Sequence, residues 1–398
     1  MPGSLTILCL ASYLKGEAFI RECRHRGCRV LLLTAEPLAE AEWPRDAIDR
    51  MLIVPRDAPA AQILHTVEQA ARAERIDRIA ALDDFDVETG AMLREALRVP
   101  GMGETTARYF RDKLAMRMRA RFAGIRVPEF VHVLNHESVA AWARRVPPPW
   151  MMKPRSSAAA IGIHRLDSEA GLWEAIGQAG DDQAKYVLEA FVPGDVYHVD
   201  SIVFGRTVRF AAAHKYGRPP FEVAHRGGIF VTRRLADTSE EGAALLEMNA
   251  RLLDAFRLER GVSHSEFIRG ADGHWHFLET SARVGGAYIA DVVEAATGLN
   301  LWREWAALEI AGEAGTYTVP PHRADYAGIV LSLARQAEPD TSAYTDPEIV
   351  FRVRKHHHAG LIVASQDPQH VEQLVSDYTA RFYDDFYATA PAPERPTD

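Results

Sequence analysis

Two glutamates carry the clearest chemical signal. Glu266 and Glu279 each sit within an apolar stretch of GVSHSEFIRGADGHWHFLETSAR, where ADG marks a turn between two paired strands, residues 262–268 and 274–278. A carboxylate in apolar surroundings is costly unless a cation or a donor compensates it, and two on neighbouring strands point to a shared metal. Hard cations such as Mg2+ prefer oxygen ligands and commonly take one or two carboxylates plus substrate phosphates. Read alone, the pair more simply faces solvent on an exposed hairpin, with Arg283 pairing locally, and the rest of the chain must decide it.

Lys153 ends the strand at residues 150–153 and precedes PRSSAAAIG, where Ser156, Ser157 and small neighbours as far as Gly162 let backbone amides approach an anion closely. The Walker A pattern is absent, so a phosphate lid here is of another type. By itself the segment also reads as a lysine followed by a flexible loop. YVLEAFVPGDVYHVDS places Glu189 in an apolar strand, then a Pro-Gly turn, then His198 and Asp200 in a second strand. The backbone of Ala190, Phe191 and Val192 could meet the edge of an adenine between apolar side chains. Without its neighbours this is only a hairpin.

These groups need a scaffold, and the apolar pattern supplies one. Residues 5–10 and 30–33 are apolar runs flanking a helix in which Phe19, Ile20 and Cys23 recur at helical spacing. With strands at 51–54 and 79–82 around a helix at 60–75, this is an open α/β domain of roughly 100 residues. VPGMG at 99–103 marks its end, ahead of a helix spanning 108–121 and a strand in GIRVPEFVHV. Further strands are expected at 186–192, 198–204 and 208–213, a helix at 240–256, and a glycine loop running into a helix within SARVGGAYIADVVEAATG. From Thr316 onward the pattern gives strands at 329–333 and 361–364, a helix at 370–382 and a disordered tail.

Composition bounds the partners. The 398 residues are 47% hydrophobic and 25% charged, those of an ordinary globular protein. Net charge is -9, from 46 Lys plus Arg against 55 Asp plus Glu, which excludes nucleic acid as a main partner but not a bound nucleotide. Cys9, Cys23 and Cys28 form a sparse set without metal-ligand spacing, which suggests a reducing compartment. The first residues lack a basic region, and their apolar run is far shorter than the ~20 residues a membrane span needs. A cytoplasmic protein is the expectation.

In this order, DKLAMR, MMKPRSSAAAIGI, LEAFVPGDVYHVD and HSEFIRGADGHWHFLETSARVGGA resemble the ATP-grasp enzymes, the broad group that includes biotin carboxylase and the ATP-dependent carboxylate-amine ligases such as L-amino acid ligases. The likeness covers nearly the whole chain. It implies a mixed α/β and α+β ATP-grasp fold: an open parallel pre-grasp domain at 1–103, a helical linker and the start of the grasp at 104–145, a small lid subdomain at 146–192, a large antiparallel-sheet subdomain at 193–388 and a disordered tail at 389–398. Lys113 and Lys153 would contact ATP phosphates, residues 156–162 would form a mobile lid, and Glu189, residues 190–192 and His198 would line the nucleotide. Glu266 and Glu279 would hold Mg2+, with Mn2+ as an alternative, and Arg283 would stabilise an acyl phosphate and the tetrahedral species that follows.

Two departures stand out. Ser281 replaces the asparagine of the common Glu-x-Asn-x-Arg strand, so its hydroxyl could touch metal or phosphate and the number of ions stays open. Val196 stands where an acidic residue often contacts ribose. Substrate recognition could draw on Lys215, Tyr216, Arg218, His225 and Arg226, which otherwise form a polar surface loop. The amides of Gly285 and Gly286 could cradle a carboxylate ahead of a helix, or the glycines could serve only a tight turn. The run from Lys355 to His358 points in different directions and suggests no metal site, while Asp83, Asp84 and Asp86, at the end of a strand of the first domain, could flank the substrate cleft, with helix capping the simpler account.

The implied function is an ATP-dependent ligase that activates a small carboxylate, an amino acid, as an acyl phosphate for attack by an amine, giving ADP and phosphate. Its partners would be these small molecules, with neither nucleic acid nor membrane, and a homodimer is compatible. The alternatives are a carboxylate-thiol ligase, a biotin carboxylase-type enzyme or a catalytically silent ATP-binding regulator. Lys153, Glu266, Glu279 and Arg283 argue against the last.

Overall fold

The computed structural model describes residues 4–158, 161–312 and 315–389. Sequence expectations that fall on residues 159–160 of the lid loop and 390–398 of the tail lie outside the described residues.

Four parallel strands form the first sheet: β1 (Thr6–Ala11), β2 (Arg29–Ala35), β3 (Arg50–Val54) and β4 (Arg78–Ala81), in the order β3-β2-β1-β4. Strand alternation gives β1 two cores. Ile7, Cys9 and Ala11 pack with Phe19, Cys23 and Trp305, whereas Leu8 and Leu10 pack with Val67 and Ile79. Trp305 comes from helix Leu301–Ala311, so the first sheet is tied to a distant part of the chain.

A small antiparallel sheet contains β5 (Phe130–His132), β6 (Trp150–Pro154), β7 (His164–Leu166) and β8 (Tyr186–Ala190), in the order β5-β8-β6-β7. Trp142, Trp150, Leu172 and Ile176 form its core. Eight strands make the large sheet: β9 (Gly194–Phe204), β10 (Thr207–Tyr216), β11 (Phe230–Arg234), β12 (Arg260–Gly270), β13 (Trp275–Ser281), β14 (Tyr326–Leu333), β15 (Ile349–Arg352) and β16 (His358–Ser365). Their order is β13-β12-β9-β10-β11-β14-β16-β15, antiparallel throughout.

Alternation along β9, β12 and β13 separates two faces. Tyr197, Val199, Phe267 and Phe277 pack against Leu245, Leu252 and Phe256 of helix Glu240–Phe256. The opposite face carries His198, Asp200, His264 and Glu266, then continues through Ile202 and Val262 into the core shared with β1. Apolar packing on one face thus fixes which polar side chains appear on the other.

Sequence and structure differ in several places. The helix expected across 108–121 is interrupted, because the Asp112 side chain accepts hydrogen bonds from the N–H of Leu114 and Ala115 at 2.9 and 3.3 Å. A new helix, Lys113–Phe122, starts there and sets Lys113 in its first turn. The helix begun at Ala60 ends at Ala71, short of the expected 75. Strands β7, β11 and β15, with 3, 5 and 4 residues, were too short to register as apolar runs. Among the described residues, no helix is long and apolar enough to cross a membrane.

Candidate active site

Antiparallel pairing sets Glu266 of β12 directly opposite Glu279 of β13, and His264 opposite Ser281. All four side chains therefore emerge on one face. Two carboxylates opposed in this way repel unless compensated. Lys113 Nζ lies 2.9 Å from Glu279 Oε2, and Tyr216 Oη donates to Glu266 Oε1 at 2.7 Å. Glu279 is 35% exposed and Glu266 16%, so the pair opens to solvent at one end. Two hard oxygen donors on one partly open face make a donor set that fits Mg2+.

Lys113 also donates to the Ser157 carbonyl at 2.8 Å, and Arg111 donates to the Ser156 carbonyl at 2.6 Å. The loop after β6 is thereby held against two cations beside the carboxylate pair. Gly162, with φ of 70°, has no room for a β-carbon, which would stand 2.9 Å from Pro154.

Lys153 is anchored differently. Its Nζ lies 2.8 Å from Glu189 Oε2, and Arg117 Nε lies 2.8 Å from Glu189 Oε1. Burial pushes the Glu189 carboxyl up, but the charges of Arg117 and Lys153 outweigh it and hold the group at about 2. This corrects the expectation for Glu189: its carboxylate is engaged by two cations and aims Lys153 instead of lining the nucleotide. The amides of Ala190 and Phe191 donate to the carbonyls of Glu129 and Pro149 at 2.8 and 3.0 Å, so neither N–H is available to an adenine edge. Val192 follows them at the turn.

His198 also departs from expectation. It is fully buried, with Nδ1 2.7 Å from Asp200 and Nε2 2.7 Å from Thr232, so it does not reach the cleft. Lys215 pairs in register with Tyr197 on the opposite face from Glu266 and binds Asp195 at 2.7 Å; strand parity removes it from the site. Tyr216 is on the correct face, but its hydroxyl is committed to Glu266. Arg226 ends helix Pro220–Arg226 and lines a cavity of about 560 Å³ with Phe221, His225 and residues 163–166, facing the small sheet. Val196 is buried with Tyr216 and Ile268.

Arg283 crosses to the first sheet. Its Nε donates to Asp84 Oδ2 at 2.8 Å, and Nη1 donates to the Val284 carbonyl at 2.8 Å. Burial opposes ionisation of Asp84, yet Arg283 and Arg111 hold its carboxyl down at about 2. The Ser281 hydroxyl adds a smaller pull in the same direction on the Asp84 carboxyl. The capping expectation therefore holds only for Asp83, which accepts from the Phe85 N–H at 3.1 Å and also pairs with Lys15 at 2.6 Å. Asp86 accepts from the amide and hydroxyl of Ser12, and burial, aided by Asp83, pushes it up to about 7.

Gly285 packs so closely that a β-carbon would stand 3.0 Å from Asp200 Oδ1 and 3.1 Å from His264 Nδ1, whereas Gly286 has open space. Ala287 and Tyr288 follow with φ of 51° and 60°, two consecutive non-glycine residues in the left-handed region ahead of helix Ile289–Thr297. Under this loop, His264 Nδ1 lies 2.9 Å from Asp200 Oδ1 and Nε2 3.6 Å from Glu266 Oε1. Burial would lower the His264 pKa, but Asp200 and Glu266 push it up to about 9.

Sequence reading missed the roles of Asp84, Arg111, Arg117 and the Asp200–His264 pair. His264 had a legible signal, since it lies two residues before Glu266 and so shares its face. Asp84 had its place at a strand end that could flank the cleft but not its partner, and Arg111 had no signal, because their contacts join segments far apart in the chain.

No protein-family model matches the chain. It is 27% identical over 233 residues to an L-arginine-specific L-amino acid ligase of Bacillus subtilis, covering 57% of this chain and 56% of that protein. It is 24% identical over 204 residues to a D-alanine–D-alanine ligase of Dechloromonas aromatica, covering 48% of this chain and 64% of that one. The matches thus span about half to two thirds of these relatives' length. A crystal structure of L-amino acid ligase from Bacillus licheniformis superposes with a TM-score of 0.76 at 17% identity, covering 98% of this chain and 100% of that one. With the parallel sheet, the small antiparallel sheet and the large eight-stranded sheet, these likenesses identify the ATP-grasp fold.

Proposed function

We propose that the chain is an ATP-dependent ligase that activates a small carboxylic acid, an amino acid, as an acyl phosphate and passes it to an amine, releasing ADP and phosphate. The observation that carries this reading is the in-register pair Glu266 and Glu279 on one face, with Lys113 2.9 Å from Glu279. The names of the matched relatives, both amino acid ligases, support the substrate class.

A carboxylate is a poor electrophile. Moving the terminal phosphoryl group of ATP onto it creates a good leaving group, and that transfer depends on positioning and charge neutralisation. Lys113 and Lys153 supply positive charge from two directions, the first from a helix start and the second from a strand end braced by Glu189. Glu266 and Glu279 would hold Mg2+, which when bound neutralises phosphate charge and orients the transferred group. Arg283, aimed by Asp84, offers its guanidinium to the acyl phosphate and then to the oxyanion formed on amine attack.

In this reading the segment 146–192 covers the nucleotide and its loop excludes water, which would otherwise hydrolyse the acyl phosphate. The N–H of Val192 is the hinge amide offered to adenine, because those of Ala190 and Phe191 are occupied. Purified protein, ATP and Mg2+ incubated with pairs of amino acids tests the reading. Phosphate release that depends on the pair, with a product mass equal to the two acids less one water, is expected. Silence across all pairs with nucleotide binding intact would reject ligation in favour of a regulator.

A further inference from the structure

Behind the carboxylate pair lies a polar cluster that the proposed chemistry does not itself use. On adjoining strands Glu266 stands opposite His198, His264 opposite Asp200, and His214 opposite His198. Asp200 Oδ1 is 2.9 Å from His264 Nδ1, while Oδ2 is 2.7 Å from His198 Nδ1 and 3.5 Å from His214 Nδ1. Asp200, His198 and His214 are wholly buried.

Three imidazoles around one carboxylate resemble a metal site, but the spacing argues otherwise. Ligands of a tetrahedral ion bound at ~2.0–2.1 Å stand about 3.3 Å apart. The contacts of 2.7 and 2.9 Å are direct hydrogen bonds, and His198 Nε2 is further tied to Thr232 at 2.7 Å. The cluster is a hydrogen-bonded brace of Asp200 with His198, His264 and Thr232, against which His214 packs.

Two features lead outward from it. His264 Nε2 lies 3.6 Å from Glu266 Oε1 and 3.5 Å from Tyr216 Oη, the hydroxyl that donates to Glu266. Gly285, two residues after Arg283, rests so closely on Asp200, His264 and Ile289 that a β-carbon would stand 3.0–3.1 Å from them and push them by a few tenths of an ångström. We propose that Asp200 is a positioning residue: through His264 it fixes Glu266, and through Gly285 it seats the loop bearing Arg283, so the metal carboxylate and the arginine keep one separation. The inference rests on Glu266 as a metal ligand. Outer partners of ligating carboxylates act in this way, orienting the donor oxygen before the ion arrives.

Mn2+ binding to the protein–ADP complex, followed by the electron paramagnetic resonance signal of free Mn2+, reads this without turnover. Asp200→Asn preserves shape and is expected to weaken Mn2+ binding by about ten- to a hundredfold, with circular dichroism reporting whether the fold persists. Gly285→Ala alters neither carboxylate nor Asp200, and is expected to weaken Mn2+ binding in the same direction. At saturating Mg2+, both variants should recover the wild-type KM for ATP but not its kcat. A folded Gly285→Ala protein with wild-type Mn2+ affinity would break the proposed coupling, whatever becomes of Asp200→Asn. A folded Asp200→Asn protein with wild-type affinity would remove the positioning role. Wild-type protein that binds ADP without any Mn2+ dependence would overturn the metal reading itself, and this inference with it.

Discussion

Glu189→Gln removes the negative charge between Arg117 and Lys153. The carboxylate is 1% exposed and Arg117 0%, so little solvent screens the pair at 2.8 Å. Holding the group at about 2 instead of the ordinary 4.5 corresponds to about 3 kcal/mol of stability at neutral pH. Removing one partner of a buried pair costs about 3–5 kcal/mol by a separate line of reasoning, because the other charge is left uncompensated. The two figures agree, and a loss of about 3 kcal/mol is expected at pH 7. Its pH dependence has a definite sign. A depressed folded pKa stabilises above the unfolded value near 4.5 and loses that contribution as pH falls toward about 2, so wild type and variant should converge over that window. Denaturant unfolding at pH 7 and at steps below pH 5 measures both parts. A variant within about 0.5 kcal/mol of wild type at pH 7 would show that Glu189 does not anchor these cations, and the case for an aimed Lys153 would fall.

Other perturbations separate the roles of the remaining residues. Glu279→Gln should lower kcat by about two orders of magnitude or more with the fold preserved, since the ion it is proposed to hold would contribute several kcal/mol to charge stabilisation; full activity would remove it from the proposed metal site. Lys153→Ala should weaken ATP binding by about ten- to a hundredfold, the worth of a hydrogen bond to a charged group, and calorimetry showing unchanged affinity would contradict a phosphate role. Asp84→Asn should reduce kcat by about tenfold or more while leaving the KM for ATP near wild type, because it releases Arg283 and not the nucleotide; steady-state kinetics with an unchanged kcat would refute that division.

The apolar pattern made most of the scaffold legible. Strands β1, β2, β12 and β13 are continuous apolar or alternating runs, and Glu266 and Glu279 stood out as charges within them. Parity was the recoverable part of the site: counting alternate residues along β10 separates Lys215 from Tyr216, and along β12 joins His264 to Glu266. Other features depend on tertiary contacts that no local window contains. Glu189 reads as a strand residue until Arg117 is brought beside it, and Asp84 as a cap until Arg283 arrives from 199 residues away. The interruption at Asp112 was legible in principle as a cap, but the run around it favoured one unbroken helix.

The fate of one oxygen atom tests the central claim most directly. With an amino acid accepted in the phosphate-release screen and labelled with 18O in its carboxyl group, activation as an acyl phosphate carries one labelled oxygen into the inorganic phosphate when the amine displaces it. Phosphate bearing a single 18O, formed together with ADP, is the predicted result. Unlabelled phosphate accompanying a condensed product, or AMP and pyrophosphate in place of ADP and phosphate, would contradict it.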